Sequence, residues 1–172
     1  MVSELEAAAR RVAEGDGGAF RAIVDATSAR LYRLAVRMIG DRDDADDVLQ
    51  DAYVRAHQAL ASGGWDGRAK IETWLYRIVV NTALNFRRGS ARQKQRMDPR
   101  EPGAPPQEAQ VEVRQLVALL QKLPDEQRAA IVLKEVEGLS AAEIAEICNC
   151  SEGAVEQRLV RARASLRMRW NA

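Results

Sequence analysis

The sequence predicts an all-α protein of two small helical domains, an N-terminal helical bundle and a C-terminal helix-turn-helix bundle, joined by a proline-rich linker. Three observations predict it. Apolar residues recur at steps of three and four through most of the chain. Gly plus Pro make up 16 of 172 residues and aromatics 5%, against an all-β chain with frequent turns. Four of the five prolines crowd into residues 97–110, which lack apolar periodicity. The expected boundaries are 1–94, a flexible linker at 95–110, and 111–172. Hydrophobic residues at 47% supply a core, and 172 residues suit one ordinary domain or two small ones.

The elements follow in order. Ser3 and Glu6 make an S-x-x-E capping box that opens a helix over 3–14, and Gly15 stops it. Residues 18–39 place Phe20, Ile23, Val24, Thr27, Leu31, Leu34, Ala35, Met38 and Ile39 on one stripe, ended by Gly40. Residues 43–60 repeat the pattern with Val48, Leu49, Ala52, Ala56 and Leu60, and the aspartates at their start suit a helix N-terminus. A glycine-rich loop at 61–70 precedes a long helix at 71–88. Beyond the prolines, helices are expected at about 108–122 and 124–137, the second closed by Gly138.

Net charge is +1, which says nothing of partners, but its distribution does. Residues 41–51 hold six Asp and one Arg, while 87–96 and 158–169 each hold five basic residues and no acid. Local blocks within a balanced total suit separate faces for separate partners. No stretch approaches a membrane span, and MVSELEAAARR lacks the basic and apolar regions of a signal peptide, so no membrane insertion is expected. Cys148 and Cys150 are one residue apart and cannot staple a fold; a reducing, cytoplasmic setting is inferred.

The most specific local signal spans 140–169. Ser140 and Glu143 form a second capping box, and Ile144 and Ile147 share a face. After Cys148-Asn149-Cys150, Ser151 can cap a second helix carrying Ala154, Val155, Leu159, Ala162 and Leu166. A short helix, a three-residue turn and a longer basic helix make a helix-turn-helix. Val155 and Leu159 pack back on the first helix near small Ala145. Glu152, Gly153, Glu156, Gln157, Arg158 and Arg161 then face outward, where Arg and Gln can read base edges in a major groove. Arg163, Arg167 and Arg169 are placed for phosphates.

On a helical wheel of residues 71–88, Ile71, Trp74, Leu75, Ile78, Val79, Thr82 and Phe86 share the apolar face. The opposite face holds Thr73, Tyr76, Arg77, Val80, Leu84, Arg87 and Arg88, with Asn81 at the boundary. Three arginines among Tyr, Val and Leu suit an exposed nucleic-acid surface. Trp65 reads equally as core packing or as a group on which an unstacked base could lie; Asn81 reads equally as a passive surface amide.

DDADDVLQDAYVRAHQAL, then TWLYRIVVNTALNFRR, then a proline-rich gap, then LPDEQRAAIVLKEVEGLSAAEIAEICNCSEGAVEQRLVRARASLR, closely resemble the extracytoplasmic-function (ECF) sigma factors of bacterial RNA polymerase. The resemblance covers about residues 18–90 and 112–168. It implies a transcription factor without catalytic chemistry that binds core RNA polymerase through the β′ and β subunits, recognises the −10 and −35 promoter elements, and helps open the DNA. It also implies an anti-sigma factor as partner. Asp47, Gln50 and Asp51 match the segment that docks on the β′ coiled coil. Trp65, Trp74, Tyr76, Arg77 and Asn81, with Arg87 and Arg88, match the −10 reader. Ser151, Gly153, Glu156, Gln157, Arg158 and Arg161 fall in the −35 reader. Two positions depart from the family pattern: Glu156 is often basic in relatives, and Trp65 stands where Phe is more usual. Both bear on which promoter is read.

The competing reading is a stand-alone helix-turn-helix regulator, which would bind duplex DNA tightly without polymerase. An enzyme finds no support: there is no nucleophile–base pair, phosphate-cradling loop or metal constellation, and no cofactor is expected. The lone His57 has no partners for catalysis, and two cysteines make no tetrahedral zinc site. Cys148 and Cys150 are expected to pack as buried thiols.

Overall fold

The structure, a computed structural model, describes residues 3–94 and 111–170. The linker expected over 95–110 lies outside the described residues. Among the described residues, eight α-helices run in the order α1 (Glu4–Ala13), α2 (Phe20–Ile39), α3 (Arg42–Ala61), α4 (Ile71–Lys94), α5 (Val111–Gln121), α6 (Asp125–Glu135), α7 (Ala141–Cys148) and α8 (Glu152–Trp170). A 3-10 turn at Gly17–Ala19 leads into α2. No strand occurs among the described residues.

Local chemistry sets most ends. Both capping boxes form: Ser3 with Glu6 opens α1, and Ser140 with Glu143 opens α7. The Asp41 side chain accepts from the Asp44 amide and caps α3. Gly40 closes α2 at φ +90°, a conformation that favours glycine. A β-carbon there would also come within 2.7 Å of the Gln121 side chain, so the glycine admits α5 as well as ending α2. The structure extends α4 six residues past the expected end at 88. Gly89 does not stop it, since one glycine costs a helix only about 1 kcal/mol.

Helices α1 to α4 pack together around Val12, Ile23, Leu34, Met38, Val48, Leu60, Ile71 and Leu75, all buried. Helices α6, α7 and α8 form a second group around Leu133, Ile144, Ile147, Val155 and Leu159. The groups are not separate in space. Helix α7 packs along α4, and α5 and α6 pack on α2.

Arg128 sits at this junction and is 0% exposed. Its guanidinium donates to the carbonyls of Leu120, Gln121, Leu123 and Met38 and to Asp125. The Met38 carbonyl belongs to the last turn of α2, which lacks intrahelical donors. Burial, with Arg87 close by, pushes the Arg128 pKa down to about 10. The charge survives burial because five acceptors surround it.

Candidate nucleic-acid interface

The helix-turn-helix forms as its residues dictate. The Ser140 amide and hydroxyl both donate to the Glu143 carboxylate, which lowers that group below its ordinary pKa. The turn passes through Asn149 at φ 50°, ψ 54°, a left-handed position that Asn tolerates. Ser151 Oγ then accepts from the Ala154 amide at 3.1 Å and starts α8. Ala145, Val155 and Leu159 are buried where α7 and α8 meet. Ser151, just before α8, is exposed, as are Gly153, Glu156, Gln157 and Arg161 on its first half.

Arg158 differs from the outward projection expected of it. Its side chain is 20% exposed and forked between two partners: Nη2 donates to Glu126 at 2.8 Å and Nη1 to Cys150 Sγ at 3.1 Å. Arg163 is paired with Glu135. Cys148 and Cys150 are half-buried thiols packed against the core, and burial raises Cys148 to about 11.

On α4 the structure corrects the wheel. Thr73, Tyr76 and Val80, expected on an exposed face, are buried; Tyr76 is 2% exposed. The reason is tertiary: α7 covers this side, so α4 is packed on two sides. The Tyr76 hydroxyl donates to the Glu137 carboxylate at 2.8 Å. Burial and that carboxylate raise its pKa well above the usual tyrosine value. Arg30 pairs with the same carboxylate at 2.7 Å and lies over the Tyr76 ring at 5.3 Å. Arg87 is half-buried, bonded to Asp125 at 2.6 Å and to Gln121 at 2.9 Å.

What remains open on α4 is narrower. Arg77, Asn81 and Arg88 are exposed, and Trp74 is half-buried. Spacings of three, four and seven place them on one strip. Exposed Asn85 continues it and was absent from the sequence reading. In the loop before α4, half-buried Trp65 donates from Nε1 to the Ala69 carbonyl at 2.9 Å. His57 packs edge-on against Phe20, ring centroids 5.1 Å apart.

Asp47, Gln50 and Asp51 are exposed on α3, with Asp51 paired to Arg55 at 2.9 Å. The buried partner face of α3 is Ala45, Val48, Leu49 and Ala52, so the acidic residues necessarily point away.

The sequence reading missed the residues at the junction: Arg30, Gln121, Asp125, Arg128 and Glu137. Only Arg128 left a trace, a charge in register with apolar Ile131 and Val132. The others are ordinary polar residues until the groups meet.

Two family patterns match the chain: sigma-70 region 2 over residues 23–93 and sigma-70 region 4 over residues 113–166. A two-part helical initiation factor is the class that this fold and these matches define. The chain is 40% identical to the ECF RNA polymerase sigma factor SigM of Mycobacterium tuberculosis, over 95% of this chain and 83% of that protein. It is 34% identical to SigW of Bacillus subtilis, with 92% of each covered. Among solved structures, CnrH in complex with the cytosolic domain of CnrY matches with TM-score 0.74 and 30% identity, covering 98% of both chains. The sigma factor RpoE of Bartonella quintana, in complex with the anti-sigma factor NepR, matches with TM-score 0.74 and 25% identity, over 87% and 94%. The chain belongs to the ECF RNA polymerase sigma factors, which recognise promoters and start transcription with RNA polymerase. A stand-alone regulator is not favoured, since the region 2 match over residues 23–93 accounts for α2 to α4.

Proposed function

We propose that this sigma factor reads its promoter at two separated places and docks on polymerase at a third. Residues 1–94 form the polymerase- and −10-binding domain, 95–110 the linker, and 111–172 the −35-binding domain. The −35 reader is the first half of α8, with Ser151, Gly153, Glu156, Gln157 and Arg161 offered to a major groove and Arg158 oriented by its two partners. The −10 reader is Trp65 with the α4 strip of Trp74, Arg77, Asn81 and Arg88, joined by Tyr76 and Arg87. Arginines there take phosphates and the indoles take an unstacked base. Asp47, Gln50 and Asp51 dock on the β′ coiled coil.

The observation that carries this reading is the exposed Arg77–Asn81–Arg88 strip on α4. Tryptophans beside an arginine–amide strip suit unstacked bases, which a regulator bound to intact duplex does not meet. The protein works as a dissociable subunit without catalysis, in the cytoplasm; no described helix is long and apolar enough to cross a membrane. The solved relatives held by CnrY and by NepR support an anti-sigma partner here as well.

The test is reconstitution with core polymerase on a promoter with mapped −10 and −35 elements. The expected result is initiation that requires the chain and fails when either element is scrambled. Tight duplex binding by the free chain, with no effect on polymerase, would overturn the reading.

A further inference from the structure

The turn of the helix-turn-helix carries two thiols, and only one of them touches a residue that reads DNA. Cys148 ends α7, and Cys150 stands just before Ser151, which caps α8. Both are half-buried. They differ in their neighbours. Burial holds Cys148 as a neutral thiol, with its pKa raised to about 11. Cys150 sits against a charge: Arg158 Nη1 donates to its Sγ at 3.1 Å. The Cys150 amide donates to the Ala145 carbonyl at 3.0 Å, which fixes the sulfur beside α8.

A partly exposed cysteine beside a guanidinium is the setting in which thiols react, because the thiolate is the nucleophile and arginine attracts it. A cavity of about 240 Å³ between the start of α6 and α8 gives a small oxidant a way to this arginine. Glu126, Gln127, Ala154, Gln157 and Arg161 line it together with Arg158. The resting contact is weak, since a thiol sulfur is a poor acceptor. Arg158 can leave it for a base edge at little cost, with Glu126 still accepting from Nη2 at 2.8 Å. An oxygen on the sulfur would change that balance. It would put a stronger acceptor at Nη1 while Glu126 keeps Nη2, and the guanidinium would be held between two oxygens.

We propose that Cys150 is an oxidation site for hydrogen peroxide, and that its sulfenic acid withdraws Arg158 from the −35 element. The proposal rests on the reading of α8 as the −35 reader. The Cys150 thiolate attacks one peroxide oxygen. The S–O bond forms as the O–O bond breaks, and the departing hydroxide takes up the thiol proton to become water. Sulfur loses an electron pair and the peroxide gains it. A small thiol reverses the change. It condenses with the sulfenic acid, water leaves, and a second small thiol releases Cys150 as the pair of them departs as a disulfide. Cys148, kept neutral by burial, takes no part. Oxidation relaxes selection at one −35 position and leaves the exposed α3 and α4 surfaces as they are.

The test uses the full chain, treated with hydrogen peroxide and then freed of it. One portion is labelled with a cyclic dione that caps sulfenic acids, and peptide mapping by mass spectrometry locates the label. The rest is assembled with untreated core polymerase. Initiation is then measured on promoters that differ at the −35 position where Arg158→Ala relaxes preference. The label is expected on Cys150 and not on Cys148. Discrimination at that position should fall about tenfold on treatment, and a small thiol should restore it. Cys150→Ser keeps an acceptor for Arg158 and should lose the response to peroxide. Cys148→Ser should keep the response.

A folded chain that takes no label at Cys150 overturns the site. Label without a change in −35 discrimination overturns the coupling to Arg158, and so does an equal response from Cys150→Ser. The −35 reading is judged separately, by Arg158→Ala in untreated holoenzyme. Labelling is measured without DNA or polymerase, so the two failures are distinguishable.

Discussion

Arg158 on the recognition helix donates to Glu126 at the start of α6 across 2.8 Å, so a residue read as a base contact is held by an acid from the neighbouring helix. The pair gives the guanidinium a direction it would not have as a free side chain. Arg158→Ala is expected to relax preference at one −35 position, by about 1–3 kcal/mol if the contact to guanine is bidentate. Glu126→Gln should strengthen binding to all −35 duplexes slightly while lowering discrimination at that position. Anisotropy titrations against single-base −35 variants measure both. An equal loss on every sequence for Arg158→Ala would assign the residue to phosphate.

Charge reversal at Asp47 and Asp51 should weaken binding to core polymerase and leave the fold intact. Both carboxylates are exposed, and the Asp51–Arg55 pair is worth at most about 1 kcal/mol. A competition assay against the native chain reads the first effect and thermal unfolding the second. Unchanged core affinity would place the docking surface elsewhere.

Trp65→Ala and Asn81→Ala should each impair opening of duplex promoters. Loss of a stacked base costs about 1–3 kcal/mol. Trp65 also anchors its loop through the Ala69 carbonyl, so Trp65→Phe is the informative partner. The ring remains and the anchor is lost. Opening should recover with Phe if stacking matters and stay impaired if the anchor does.

Arg128→Met should destabilise the protein by about 3–5 kcal/mol in urea unfolding. The aliphatic stem is replaced, but four carbonyls and Asp125 lose a shared donor. Arg128→Lys should recover little, since an ammonium cannot reach the same fan of acceptors.

The Tyr76 contact should be sensitive to alkali. Its pKa in the folded chain is raised above the ordinary 10.0, chiefly by burial and then by Glu137. A raised value means the contribution is fully present below that ordinary value. It is lost as pH climbs through the higher value of the folded chain. Stability in urea unfolding should therefore fall above about pH 10. Tyr76→Phe should weaken that dependence. A Tyr76→Phe chain with the same alkaline profile as the native chain would contradict the assignment.

The sequence by itself determined the described helices to within a few residues at most ends, because caps, glycines and apolar spacing act locally. It also determined the helix-turn-helix, whose capping box, left-handed Asn149 and small Ala145 lie within a dozen residues of one another. The acidic face of α3 was legible for the same reason: a buried Ala45–Val48–Ala52 stripe leaves the aspartates only one side to face. Which side of α4 is open was decided by the tertiary structure alone. Helical periodicity reports that a side is polar or apolar, not what another part of the chain will lay against it. Tyr76 and Glu137 are 61 residues apart, and nothing local to either marks the other as its partner. Arg158 and Glu126 are 32 apart and equally silent. Such contacts come into being only when the helical groups pack, because a buried charge or hydroxyl must then find its partner among whatever groups the packing brings near.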